Sequence, residues 1–316
     1  MGKPVPSPDC TFVQYHGQAA SSTLHQNLTA MWAAISADTG GRVTATVHAE
    51  NGKVAGGDPV ALRMLIAGEI QFYTLMGGIL GTVVPVAEAQ QVPFAFASAE
   101  QAHKAIDGPL GAYLREEMAT KGIVGFPVGG FDNGMRQIGG RTRPIRVPAD
   151  LAGLKMRVPD GKMFDDMARA LGAEPVTVNS SGIYGALKAG TVDAQENPLA
   201  YMDFFKHYEV MKYISMTNHM WSGFNMLANQ AAWNRIPADI RASIERNLTR
   251  AVRLQRDDQQ KANLTARTSL AGHGLAFNEV ETAPFRARLA GVYADWKKTL
   301  GAKCWSLLEA ETGRLA

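Results

Sequence analysis

GLKMRVPDGKMFDDMARALGAEPVTVNSSGIYGALKAGTVDAQENP, residues 153–198, reads as strand, helix, strand, helix, strand with few residues to spare. Residues 154–158 are apolar apart from Lys155 and Arg157, and Pro159 and Asp160 stop the strand. Met163, Phe164, Met167 and Leu171 recur at helical spacing, and Gly172 is placed as a C-cap. A second apolar run, 175–178, leads to Asn179, Ser180 and Ser181, whose oxygens predict an N-cap for a helix through Ala189, closed by Gly190. Residues 191–195 extend toward Glu196-Asn197-Pro198. Open α/β sheets bind ligands at the carboxyl ends of their strands. Arg157 and Asn197 both fall at such ends.

Working outward, residues 11–18 predict a strand that runs into a polar loop, and Ser22 or Thr23 caps a helix to about Ala37. A second strand covers 42–49, and a helix over 60–67 closes at Gly68 before a third strand at 69–75. Gly77, Gly78 and Gly81 predict a loop of close backbone approach. ALRMLIAGEIQF (61–72) echoes YGALKAGTVDA (184–194), with Leu65, Ala67, Gly68 and Ile70 matching Leu187, Ala189, Gly190 and Val192 at a constant offset. That echo points to two domains built on one plan. Ser98 and Gln101 fit a capping box, and Asp107-Gly108-Pro109 separates two helices. The runs 122–140 and 214–228 are extended, and predict chain crossings between the domains. From Ala238 to Ala271 there is no Gly or Pro. This predicts either one helix of about 50 Å lying across both domains or two helices broken near 256–260.

The chain's 316 residues allow two domains, and 46% hydrophobic with 19% charged residues is ordinary for a globular protein. No apolar run reaches membrane-spanning length. A net charge of +3 gives no case for nucleic acid. MGKPVPSPDC at residues 1–10 shows neither a charged, apolar leader nor a lipobox. It fits a mature segment whose signal peptide has been removed, or a cytoplasmic protein. The two cysteines, Cys10 and Cys304, are either free thiols or a disulfide closing nearly the whole chain, worth up to about 5 kcal/mol.

There is no Gly-x-Ser-x-Gly elbow, no Walker loop, no Gly-x-Gly-x-x-Gly after the first strand and no His-Glu-x-x-His. The seven histidines lack metal-ligand spacing, so neither metal nor cofactor is expected. Between Met135 and Arg157 the cations are Arg136, Arg141, Arg143, Arg146, Lys155 and Arg157, against Asp150 alone. Arg157 interrupts an apolar strand, so it must reach water, an internal acid or a ligand anion. A guanidinium matches a carboxylate bidentately, and Asn197 can both donate and accept beside it.

At these residues the chain resembles the solute-binding proteins of TRAP transporters, the DctP-type family. The matching motifs are DNGMRQ (132–137), DLAGLKMRVPD (150–160), GAEPVTV (172–178), IYGALKAGTVDAQENP (183–198) and YEVMKYISMTNH (208–219). His16, NGKVAGGDPVALRMLIAGEIQF (51–72) and VPFAF (92–96) also fit. The resemblance implies a periplasmic, monomeric clamp of two α/β domains with mixed sheets, crossing strands and a long spanning helix. The expected division is 9–134 plus 222–258 in domain I and 135–221 plus 259–316 in domain II. Such a protein is not an enzyme. It closes on a small organic acid (a sugar acid, hydroxy acid or related carboxylate) and delivers it to TRAP membrane subunits. By position, Arg157 resembles the family's carboxylate-binding arginine, Asn197 its partner asparagine and Arg136 a second basic residue. Asp160 and Met76 depart from the sialic-acid-binding pattern, which counts against that ligand. His16, Asp160 and Trp221 are expected to contact the rest of the ligand. The residues alone also admit a ligand-sensing protein for a receptor or an enzyme on the same scaffold.

Overall fold

The two extended runs cross between halves as expected. In the computed structural model, which describes residues 9–315, the strands are β1 (Cys10–His16), β2 (Val43–His48), β3 (Phe72–Met76), β4 (Ile123–Phe131), β5 (Met135–Gly140), β6 (Lys155–Val158), β7 (Glu174–Thr177), β8 (Ala194–Asn197), β9 (Tyr213–Trp221), β10 (Phe224–Asn229) and β11 (Ala276–Glu279). The question of a leader in residues 1–8 lies outside the described residues. One sheet has the order β2-β1-β3-β10-β4 and the other β11-β9-β5-β8-β6-β7. Both are mixed. In the first, β1 runs parallel to β2 and β3, while β10 is antiparallel to β3 and β4. In the second, β6 runs parallel to β7 and β8, and β5 is antiparallel to β8 and β9.

The crossings β4-to-β5 and β9-to-β10 run side by side, with Phe131 opposite Phe224 and Met135 opposite Trp221. Between those pairs the Ser222 N–H donates to Gly134 O at 3.0 Å, and Asn133 Nδ2 donates to Ser222 Oγ at 3.1 Å. The long helix is unbroken from Ala238 to Gly272. It packs on the Thr23–Asp38 helix and β4 at one end and on the Leu199–Phe204 helix at the other. Its buried polar face grips the crossing backbone. Gln255 accepts from Asp132 N and donates to Asp132 O, and Gln259 and Asn263 donate to Asn133 O. These glutamines explain why a helix with so polar a sequence lies half inside the molecule.

The echo between the halves is structural. The Gly57–Ala67 and Ile183–Ala189 helices each end on a glycine in the left-handed region, Gly68 at φ 81° and Gly190 at φ 75°. Strands β3 and β8 then begin at Phe72 and Ala194, the same offset seen in the sequence. The helix Lys162–Leu171 carries Met163, Phe164, Met167 and Leu171 on its buried face and has the predicted cap at Gly172.

Three local expectations need correction, and the alternative left open for the two cysteines is decided. Asn179, Ser180 and Ser181 make no side-chain cap; residues Ser180–Gly182 form a 3₁₀ turn, and Gly182 precedes the Ile183–Ala189 helix. Asn179 is diverted, its Nδ2 donating to Gly56 O at 3.3 Å. Gly77–Leu80 is a short helix rather than a loop, although the close approach is real: a Cβ at Gly78 would lie 2.6 Å from the Phe164 ring. The capping box at Ser98 is offset, because Ser98 accepts from Gln101 N but Gln101 Oε1 accepts from Ala97 N. Cys10 and Cys304 are free. Cys10 opens β1 opposite Val43, whereas the Cys304 thiol is buried against Val86 O in the C-terminal helix. That helix, Ala290–Thr312, packs mainly on Ala99–Asp107, Pro109–Ala119 and Pro85–Gln91, with a smaller contact to Lys162–Leu171.

Candidate functional site

The carboxyl ends of β1 and β3 in one sheet face those of β6 and β8 in the other across a cavity of about 40 Å³. The first sheet supplies Gly17, Gln18, Thr74 and Met76, and the second supplies Arg157, Pro159 and Asn197. Asp58, Asn133, Arg136, Ser180 and Tyr201 complete the polar wall, with Ile79 and Phe224 as apolar floor.

Arg157 is 3% exposed. Its Nε donates to Val178 O at 2.7 Å, and among the described residues its two terminal nitrogens have no hydrogen-bond partner. Burial pulls its pKa down to about 10, with Arg136 acting in the same sense and Tyr201 and Glu196 opposing. It therefore remains a cation at neutral pH. The Tyr201 hydroxyl, buried beside it, lacks a partner in bonding geometry, and burial pushes its pKa up to about 12. Asn197 Nδ2 donates to Gln195 Oε1 at 2.7 Å, which orients the amide and leaves its oxygen free to accept. An unpaired cation, a neutral phenol and an oriented amide around one space can receive a carboxylate and the groups next to it.

Arg136 is placed differently. Its Nε and Nη2 are committed to the fully buried Glu196 carboxylate, its Nη2 also reaches Glu196 O at 2.6 Å, and its Nη1 donates to Ser222 Oγ at 2.8 Å. Burial would raise the Glu196 carboxyl, but Arg136 and the bond to His219 hold it below the usual carboxylate range. The pair presents a neutralised surface to the cavity.

Of the residues singled out in the sequence, Arg157, Asn197 and Arg136 line this cavity and His16, Asp160 and Trp221 do not. His16 lies behind the wall, bonded to His25 at 2.9 Å and accepting from Gln18 N at 3.2 Å. Burial, with His25 adding to it, drives its pKa down to about 3. Trp221 is buried and donates from Nε1 to Asp132 Oδ1 at 2.8 Å. Asp160 opens onto a separate surface depression beside Glu88, Lys162 and Trp296. Sequence reasoning missed Asp58, Tyr201, Ser180 and Asn133 as wall residues, and gave Gln18 no role beyond a polar loop. Gln18 is 5% exposed, and its side-chain amide has no hydrogen bond among the described residues. Its position, a polar residue just past the apolar part of the first strand, was the signal the sequence offered.

Among the described residues no group of His, Cys, Asp and Glu could hold a metal ion, and no helix is long and apolar enough to cross a membrane. The signature of bacterial extracellular solute-binding protein family 7, DctP, matches residues 14–299. The chain belongs to this family.

DctP relatives include the C4-dicarboxylate-binding periplasmic protein DctP of Rhodobacter capsulatus, 30% identical over 229 residues, 71% of this chain and 68% of that protein. The sialic acid-binding periplasmic protein SiaP of Vibrio cholerae is 27% identical over 260 residues, 81% of this chain and 79% of that one. The match to Sinorhizobium fredii y4mM, an uncharacterized protein, is 36% identical over 204 residues but spans 37% of its length. Among solved structures, a TRAP periplasmic solute-binding protein of Roseobacter denitrificans with bound β-D-glucuronate superposes with a TM-score of 0.91 at 25% identity, covering 96% of this chain and 99% of that one. A Polaromonas homologue bound to D-erythronate gives 0.90 at 25% identity, covering 97% and 99%. The resemblance and the two-domain α/β clamp read from the sequence both stand. The family is made up of solute-binding proteins, extracellular or periplasmic.

Proposed function

We propose that this chain is the periplasmic capture component of a TRAP-type transporter: it takes up a small organic carboxylate, closes on it and hands it to membrane subunits. The observation that carries this reading is Arg157, a buried cation lining the cavity between the sheets with its terminal nitrogens unspent. A charge held out of water without a counterion is costly, and a ligand carboxylate supplies the missing partner through charge-assisted, bidentate bonds. Asn197 orients the same carboxylate or a neighbouring hydroxyl, and Arg136, paired with Glu196, serves as a polar wall. The relatives bound to glucuronate and erythronate support a sugar-acid-like ligand.

The two sheets act as jaws, dividing at the crossings near 134/135 and 221/222 and along the spanning helix near 258. The chain works as a monomer and turns nothing over. A thermal-shift screen across organic acids, followed by calorimetry on the hits, tests this. A saturable, stoichiometric rise in melting temperature with one class of acid is expected, because a ligand that binds only the folded state stabilises it by mass action. No shift with any acid, or turnover of a bound one, would remove the proposal.

A further inference from the structure

Glu88 belongs to the segment that follows β3 of the first sheet, and Met163 to the helix that follows β6 of the second. The Glu88 side chain crosses between them, its Oε2 accepting from Met163 N at 2.9 Å. The Lys162–Leu171 helix has no side-chain cap of its own, because Gly161 stands at its N-cap. One of its orphan first-turn N–H groups is thus satisfied from the other half of the molecule. Glycines bring the two backbones together along this seam. A Cβ at Gly161 would lie 3.1 Å from Gly78 O, and one at Gly81 would lie 2.2 Å from the Glu88 Cγ. Glu88 is 4% exposed, yet it lines the depression that opens beside Asp160, Lys162 and Trp296, so water and protons reach it there.

Among the described residues no cation is reserved for this carboxyl. Lys162 faces it, but the Lys162 ammonium is spent on Asp166 and lies over the Trp296 ring. Asp160 and Asp165 face the same depression and add negative charge, while the C-terminal helix brings Trp296 and Thr299, which are neutral. The Gly77–Leu80 helix packed on this segment carries no charged residue, and Pro109–Ala119 and β9, which also touch it, place none at the depression. Burial pushes the Glu88 carboxyl up to about 7, the Met163 bond and Lys162 opposing and Asp166 adding to it.

We propose that Glu88 is a proton-operated latch on closure: the jaws lock when its carboxyl is protonated against the Lys162–Leu171 helix, and the seam loosens when it ionises. This rests on the reading that the chain closes on an acid. A neutral carboxyl still accepts the Met163 N–H through its carbonyl oxygen. An ionised one must shed its water on closing with no cation to receive it. In the open clamp Glu88 returns to water, where a carboxyl is ionised at neutral pH. Closure then takes up a proton. The contribution of this group to the closed state is full below its ordinary value of 4.5 and is lost as pH rises through about 7.

Calorimetry with D-glucuronate and D-erythronate, in phosphate and in imidazole buffer at about pH 6, counts the protons bound with the acid, because the two buffers ionise with different heats. The wild-type protein should take up on the order of half a proton or more, and its affinity should fall about tenfold or more between pH 5 and pH 8. Glu88→Gln keeps an acceptor for Met163 and cannot titrate. With folding checked by circular dichroism, it should bind without uptake, its affinity changing less than about twofold over that range. Binding to the wild type without uptake overturns the latch whether or not the variant folds, since Glu88 would then stay buried in the open clamp. Uptake that persists in Glu88→Gln overturns it as well. Both results leave the carboxylate-binding reading in place. If neither of these acids nor any in the thermal-shift screen binds the wild-type protein, closure on an acid falls and the latch falls with it.

Discussion

Arg157 Nε is tied to the carbonyl of Val178 at 2.7 Å, so the guanidinium is fixed by its inner nitrogen and spends neither outer one on the protein. The bond joins the strand that carries the cation to the 178–180 segment, whose Asn179 reaches Gly56 on the opposite side of the cleft and whose Ser180 lines the cavity. Anchor and cleft edge are thus one connected piece of structure.

Replacing Arg157 by Met keeps an unbranched apolar stem and removes the buried charge. Ligand binding should weaken by roughly 2–5 kcal/mol, the cost of truncating one partner of a desolvated charge pair. The unliganded protein should melt at or above the wild-type temperature, because an uncompensated buried cation is no longer kept from water. Calorimetry and thermal denaturation of the same preparation check both halves. A large loss of stability would mean that the cation has an internal partner and is not held for a ligand.

Glu196 tests the opposite case, a buried charge already matched. Glu196→Gln strands the Arg136 guanidinium in the interior, and breaking such a pair costs about 3–5 kcal/mol. The pH dependence has a definite sign. The folded-state pKa of Glu196 lies below its unfolded value of 4.5, so its contribution is present above that value and is lost as pH falls through the folded one. Urea unfolding should therefore show a deficit in the variant that is large at pH 7 and shrinks below about pH 4. Removing both charges together, as Arg136→Met with Glu196→Leu, should recover much of the loss.

The elements that were readable in the sequence are those specified locally. The Lys162–Leu171 helix, the glycine caps at Gly172 and Gly190 and the Ala238–Gly272 helix follow from periodicity and punctuation. Arg157 was readable because a cation in an apolar strand calls for a partner. Asp58 was not: in sequence it opens a helix before a proline, and only the meeting of the two sheets turns it toward the cavity. Glu196 was hidden for the same reason. Its partner Arg136 lies on the neighbouring antiparallel strand, and the pairing of β5 with β8 is a tertiary fact. Asn179 misled because a residue that can cap a helix can also reach across a cleft, and nothing local decides between them.

The Asn179 contact bears on how the ligand leaves. Its 3.3 Å bond to Gly56 O crosses between the halves, and a Cβ on Gly57 would lie 3.2 Å from the same side chain. If the clamp opens to release its acid, Asn179→Ala removes one exposed hydrogen bond from the closed state, worth about 0.5–1.5 kcal/mol. Stopped-flow fluorescence should show release several-fold faster with little change in the association rate. Equal release rates would place the opening motion elsewhere.

Glu88 gives a pH signature distinct from that of Glu196. The Lys162–Leu171 helix starts at Gly161, which has no side chain to cap it, and the Met163 N–H is taken by Glu88 Oε2 at 2.9 Å. Burial pushes the Glu88 carboxyl from 4.5 up to about 7, partly opposed by the Met163 bond, with Asp166 raising it further and Lys162 lowering it. An acid whose folded pKa is raised contributes stability in full below the unfolded value, and that contribution is lost as pH rises through the folded one. From pH 5 to pH 8 this group should therefore cost the wild-type fold up to roughly 3 kcal/mol. Glu88→Gln can still accept from Met163 but does not titrate, so relative to the wild type it should gain stability between those two pH values. Denaturant unfolding of both proteins at each pH measures the difference directly. A gap independent of pH would mean that Glu88 keeps one protonation state throughout, and that its carboxyl caps the helix without the penalty its burial implies.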